Sequence, residues 1–185
     1  SISPEIDDYY LIVSRLREYK RIDRAIEAFN DLKLPLVIIG EGSDRNRLEK
    51  MAGGNITFLG RVDEETLQKH YARCRALVFS GEEDFGLTPV EAMAAGRPVI
   101  AYARGGALET VKDNVTGCFF DEPTPESLAE AVRSFDTECV DPEAIRTHAL
   151  QFDVTHFRQK IEEYIRLCVK GNPPCSVSAS SSLSG

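Results

Sequence analysis

A chain of 185 residues, 42% hydrophobic and 28% charged, has enough apolar side chains for one sizeable buried core. Its formal net charge of -8 excludes sequence-independent binding to nucleic acid or to an anionic membrane face, which needs clustered Lys and Arg, but leaves room for a local basic site. The longest apolar runs, Leu34 to Ile39 and Ala76 to Phe79, fall far short of the roughly 20 residues that span a bilayer.

The opening residues, Ser1 to Asp8, are polar and acidic, unlike a signal peptide, and read as a linker over 1–8. Cys74, Cys118, Cys139, Cys168 and Cys175 are widely spaced and odd in number, without a CxxC pair. They read as reduced thiols of a cytosolic protein, and no metal site is expected.

Tyr9 to Ser14 is rich in β-formers and predicts a first strand. Beyond the polar loop Arg15 to Tyr19, Ile22, Ile26 and Phe29 recur at helical spacing. Leu34 to Ile39 is a continuous apolar run, as in a strand covered on both faces, and Gly40-Glu41-Gly42 stops it. Ser43 is placed to cap a polar helix to about Met51, and Ile56 to Leu59 predicts a short third strand. Asp63 caps the next helix, with Glu64 and Glu65 near the positive end of its dipole and Leu67, Tyr71 and Cys74 on its inner face.

Ala76 to Phe79 is a fourth strand. It leads into Gly81-Glu82-Glu83-Asp84-Phe85-Gly86-Leu87-Thr88-Pro89-Val90-Glu91, where Thr88 as N-cap, Pro89 at the first helical position and Glu91 three residues on spell a capping box. Gly96 stops that helix, and Pro98 to Ala101 is a fifth strand. Gly105-Gly106 breaks the chain before a short helix, Ala107 to Val111, and a sixth strand, Gly117 to Phe120. Thr124-Pro125 and Asp141-Pro142 each predict a capped helix start, with Leu128, Val132 and Phe135 lining the first of these helices. A last helix begins near Asp153 and carries Phe157, Ile161, Ile165 and Cys168 on one side. Residues 171–185 are Ser-rich and without periodicity, as in a flexible tail or a cloning remnant.

Strands alternating with helices at short connections predict an α/β doubly wound, Rossmann-like parallel sheet of about six strands with helices on both faces, over residues 9–170. Ligands of such sheets lie in the crevice beyond the strand ends. Arg15 and Lys20 follow the first strand and suit an anion, phosphate above all; a solvated basic patch with Arg17, Arg21 and Arg24 is the plain alternative. Glu83 and Glu91 stand with seven residues between them. Capping explains Glu91; Glu82, Glu83 and Asp84 read either as a solvated acidic loop or, since adjacent carboxylates repel one another, as groups that a ligand uses. Carboxylates accept from sugar hydroxyls, helix N-terminal amides suit phosphate oxygens, and Gly86 lets a ligand approach the backbone. One loop thus matches both ends of a nucleotide sugar.

These segments resemble the C-terminal domain of group 1 glycosyltransferases, the retaining GT-B family that includes many mannosyltransferases. The family's E-x7-E motif stands as Glu83 to Glu91 within EEDFGLTPVEAMAAGRPVIA, and its basic pair as Arg15 and Lys20 within SRLREYKRID. GEGSDRNRLE, FLGRV and GGALETVKDNVTGCFF resemble further family segments in the same order.

The resemblance implies that Glu83 contacts the donor sugar and Glu91 the ribose. It places the amides of Phe85, Gly86 and Leu87 near the sugar, Thr88 and the helix start near the diphosphate, and the backbone of Arg61 and Val62 near the base. Arg15 and Lys20 neutralise the departing diphosphate, and no metal or cofactor is required. GDP-mannose is the implied donor and a glycan or lipid-linked molecule the implied acceptor. The cytoplasm, or the inner face of the membrane, is the implied location, any membrane contact coming through the N-terminal acceptor domain. Two departures stand out: Asp84 occupies a position where the family usually has Gly, and no N-terminal acceptor domain is present, so the isolated chain is expected to bind donor weakly and to transfer nothing. A non-catalytic nucleotide-sugar-binding scaffold is the alternative, and a nucleotide-sugar epimerase a third, less well matched by these motifs.

Overall fold

The computed structural model describes residues 2–169, so the tail expected over 171–185 lies outside the described residues. Six strands, β1 (Tyr10–Val13), β2 (Leu36–Ile39), β3 (Ile56–Gly60), β4 (Leu77–Phe79), β5 (Val99–Tyr102) and β6 (Gly117–Phe120), form one sheet in the order β3-β2-β1-β4-β5-β6. All neighbouring pairs are parallel, which confirms the doubly wound fold.

Because side chains alternate across a strand, the uninterrupted apolar runs feed two cores. Tyr10, Ile12, Leu36, Ile38, Val78, Ile100 and Phe120 pack on one face against α1 (Ile22–Leu32), α2 (Arg45–Met51) and α6 (Pro125–Ser134). Leu11, Ile39, Leu77, Phe79, Val99 and Ala101 pack on the other against α3 (Glu64–Arg73), α4 (Leu87–Ala94), α5 (Ala107–Thr110) and α7 (Pro142–Ala149). Fully buried side chains such as Phe29, Leu11, Ile38 and Leu77 each contribute about 1.5–3 kcal/mol of transfer free energy.

Three predicted caps form: Asp63 accepts from Thr66 N at 2.8 Å, Thr124 from Ser127 N at 3.2 Å and Asp141 from Glu143 N at 3.0 Å. Two do not. The chain enters α2 already in a helical conformation at Asp44, whose carboxylate takes a two-pronged bond from Arg47, and the Ser43 hydroxyl accepts from Arg17 Nη1 at 3.1 Å. The capping box at Thr88 is also absent: Gly86, at φ 76°, turns the chain so that α4 starts at Leu87, and Thr88 makes no cap bond. Pro89 then falls third in the helix, still within the first turn, where its missing N–H leaves no bond unmade. The polar loop after β1 contains one 3-10 turn, Glu18–Lys20.

Residues 2–8 lie against the end of α3. Arg73 pairs with Asp7 at 2.7 Å and Glu5 at 2.6 Å, and the buried Arg97 donates to the carbonyls of Ser3 and Ala72 at 2.7 and 2.8 Å. The chain divides into two units at Leu150 and Gln151. The first holds the sheet and α1 to α7; the second holds α8 (Val154–Val169), whose start is capped by Asp153 accepting from His156 N at 2.7 Å.

Candidate functional site

β1 and β4 are adjacent in the sheet, yet the helices that follow them, α1 and α4, leave on opposite faces. The connections therefore part above the ends of these two strands and leave a crevice there. Val13, Ser14, Arg15, Tyr19, Lys20, Glu83 and Thr88 line a cleft of about 310 Å³ at this point.

Four predicted site residues thus meet: Arg15, Lys20, Glu83 and Thr88. The Lys20 ammonium pairs directly with the Glu83 carboxylate and lies 4.9 Å from the centre of the Tyr19 ring. The Lys20 side chain is only 12% exposed, so it is a fixed cation instead of a solvated one. Its backbone is tied to the β4 loop, since the Ser80 hydroxyl donates to the Lys20 carbonyl at 3.2 Å. Arg15 is exposed and its guanidinium has no ion-pair partner among the described residues. The first turn of α4 opens beside these groups, and its amides carry the positive end of the helix dipole.

The acidic loop is held from behind by Gly105-Gly106, which the sequence by itself marks only as a chain break. Gly106 N donates to the Glu83 carbonyl at 2.7 Å, and a Cβ at Gly106 would lie 2.4 Å from the Phe85 Cα and 2.5 Å from the Asp84 carbonyl oxygen. Gly105-Gly106 is needed because the β5 turn lies directly on the loop backbone. The only signal in the sequence was the glycine pair itself. Gly86 is buried over Phe79, whereas Phe85 and Leu87 are 40% and 66% exposed and flank the loop with apolar surface; Asp84 is exposed.

Glu91 does not line this cleft. One turn further along α4, it lines a second depression of about 540 Å³ between α3 and α4, with Glu64, Gln68, Tyr71 and Arg146 among its walls. There the Tyr71 hydroxyl donates to Glu91 Oε2 at 2.7 Å. Burial first, and then the Glu91 carboxylate, push the Tyr71 phenol far above its usual range, so it remains a hydrogen-bond donor. Helical spacing alone marks Tyr71 only as an inner-face residue. Arg61 and Val62 follow β3, at the sheet edge, and are not among the residues of the Lys20 and Glu83 cleft; Arg61 is exposed and Val62 packs against the second core.

Burial pushes the Cys74 and Cys118 thiols up to about 12, so neither supplies a thiolate. Among the described residues, no group of three or more His, Cys, Asp or Glu is placed to hold a metal, the cysteines are free, and no helix is long and apolar enough to cross a membrane.

An uncharacterized glycosyltransferase of Methanocaldococcus jannaschii is 36% identical over 132 residues, 66% of this chain and 34% of that protein. A GDP-mannose-dependent alpha-(1-6)-phosphatidylinositol monomannoside mannosyltransferase of Mycobacterium tuberculosis is 34% identical, over 65% of this chain and 36% of its own. Among solved structures, Anabaena HepE in complex with UDP and glucose matches with a TM-score of 0.73, covering 86% of this chain and 48% of that one; its 24% identity speaks for the fold alone. The chain spans about a third of the length of these curated relatives, 34% and 36%. The family model for glycosyl transferases group 1 matches residues 2–148, and the chain belongs to that family.

Proposed function

We propose that this chain is the donor-binding, C-terminal half of a retaining GT-B glycosyltransferase and that it holds a nucleotide sugar across the ends of β1 and β4. The observation that carries the reading is the pairing of Lys20 with Glu83 beside the start of α4. Without ligand, the cation and the carboxylate satisfy each other. A nucleotide sugar separates their tasks: the diphosphate takes Lys20, Arg15 and the α4 amides, while the sugar hydroxyls donate to Glu83. Negative charge grows on the diphosphate as it leaves, so these cations stabilise the transition state more than the bound donor. Glu91 accepts from the ribose in the adjoining depression, and the backbone of Arg61 and Val62, leading into α3, meets the base. No metal or cofactor has a role in this reading.

The donor is GDP-mannose. The name of the Mycobacterium tuberculosis relative supports this choice, and HepE, solved with UDP, is the counterexample that a test must address. Acceptor recognition and the remaining catalytic groups belong to an N-terminal domain, the acceptor being a glycan or a lipid-linked molecule. The protein works in the cytoplasm, which the free thiols of the described cysteines support. This chain alone binds donor weakly and transfers no sugar. Membership of the family favours transfer over a scaffold role.

Calorimetric titration of the chain with GDP, UDP, ADP and GDP-mannose at low and high salt tests the reading. Saturable binding is expected, tightest for the guanine nucleotides and weaker in high salt. Absence of saturable binding to all four contradicts the donor site, and preference for UDP contradicts the choice of donor.

A further inference from the structure

Tyr71 has a chemistry that the donor-site reading leaves unused. It lies on the inner face of α3 at 4% exposure, within the second core with Leu11, Leu77 and Met93, so its ring cannot swing. Its hydroxyl nevertheless reaches out of that core and donates to Glu91 Oε2 at 2.7 Å, a charge-assisted bond between helices. Glu91 itself is exposed on α4, where an unrestrained side chain would sample several rotamers. The bond holds it in one. A donor occupies Oε2, and the lone pairs of Oε1 are left for another donor in the same depression.

We infer that Tyr71 is a positioning residue: it anchors Glu91 so that one carboxylate oxygen is presented to a ribose hydroxyl, and it thereby sets the preference of this site for ribonucleotides. The inference rests on the assignment of Glu91 to the ribose. It adds a second helix, and a residue outside the acidic motif, to the groups that read the nucleoside. Lys69 and Arg146 line the same depression, and Glu64, Glu65 and Gln68 complete its polar wall; Gln68 donates to Glu64 Oε1 and Arg146 to the Ala94 carbonyl, each at 3.0 Å, whereas Tyr71 donates to the Glu91 carboxylate.

The test compares the nucleoside diphosphate that binds most tightly among GDP, UDP and ADP with its 2′,3′-dideoxy counterpart, and with inorganic pyrophosphate, on the wild-type chain, Tyr71→Phe and Glu91→Gln. Wild type is expected to favour the ribonucleotide by about tenfold, the worth of one hydrogen bond to a charged group. Tyr71→Phe keeps the buried ring and is expected to lose most of that preference while binding pyrophosphate unchanged. A Tyr71→Phe chain that keeps the full preference, when Glu91→Gln loses it, overturns the positioning role and leaves Tyr71 a packing residue. If Glu91→Gln keeps the preference as well, the ribose assignment is overturned with it. Unchanged pyrophosphate affinity in both variants shows that the fold and the phosphate end are intact, so the loss is read as local.

Discussion

Lys20 is the residue on which most of the site depends. Its ammonium is nearly enclosed, paired with Glu83 and tied through its carbonyl to Ser80, so it is held in place before any ligand arrives. Replacing it with Ala removes a charge-assisted contact worth about 1.5–3 kcal/mol, so Lys20→Ala should weaken nucleoside diphosphate binding about tenfold or more by calorimetry with an unchanged far-ultraviolet circular dichroism spectrum. Unchanged affinity would reduce Lys20 to a partner of Glu83 alone. The residue types were legible in the sequence, because a cation after the first strand and carboxylates after the fourth point to one crevice. Their direct pairing was not, since it exists only once β1 and β4 lie side by side.

A second residue-scale effect concerns pH. His70 shares the Tyr9 hydroxyl, at 3.1 Å from both its Nδ1 and its carbonyl, and burial, helped by Lys69, holds its imidazole below the usual 6.5 against the pull of Asp7. The unfolded chain therefore binds more protons below that value, so the stability His70 contributes is present above it and is lost as pH falls. Thermal midpoints should drop between about pH 7.5 and about pH 5, before the paired carboxylates titrate, and His70→Gln should flatten part of that drop. An identical pH profile in the variant would contradict this origin.

At the scale of elements, the acidic loop and the Gly105-Gly106 turn behave as one piece. The loop after β4 has no regular structure of its own, and its backbone is held by the Gly106 amide at a contact too close for any Cβ. Gly106→Ala forces two backbones apart, so it should cost about 1–3 kcal/mol in urea denaturation and weaken nucleotide binding too, because the displaced atoms carry Glu83 and the entry to α4. Stability and affinity both at wild-type level would show that the turn is only a neighbour. The helix caps show how far local sequence reaches. Asp63, Thr124 and Asp141 cap as expected because each precedes a helix entered from extended backbone. Ser43 and Thr88 fail because a turn set by the chain before them decides where the helix starts. In α4 that turn is Gly86, and the shift of the start frees Glu91 from capping and leaves it to Tyr71.

For the whole molecule, the alternation of apolar runs and helical periods was sufficient to give six parallel strands between two helical layers, because that pattern buries both faces of a sheet in few other ways. What could not be read was which loops meet: order in the sheet places the ends of β1 and β4 together and puts Arg61 and Val62 at the far edge after β3. The predicted contacts accordingly fall into three places, a charged cleft, a depression along α4 and an edge loop, instead of one pocket. A nucleotide sugar is long enough to need separate places for its sugar and diphosphate, its ribose and its base.

A crystal structure of this chain soaked with GDP-mannose tests that arrangement most directly. The account predicts the diphosphate against Lys20, Arg15 and the first turn of α4, the sugar hydroxyls on Glu83 in place of Lys20, and the ribose on Glu91. A nucleotide seated elsewhere, for example in the arginine-lined hollow of Arg17, Arg21 and Arg47, with the Lys20 and Glu83 pair intact, would contradict it.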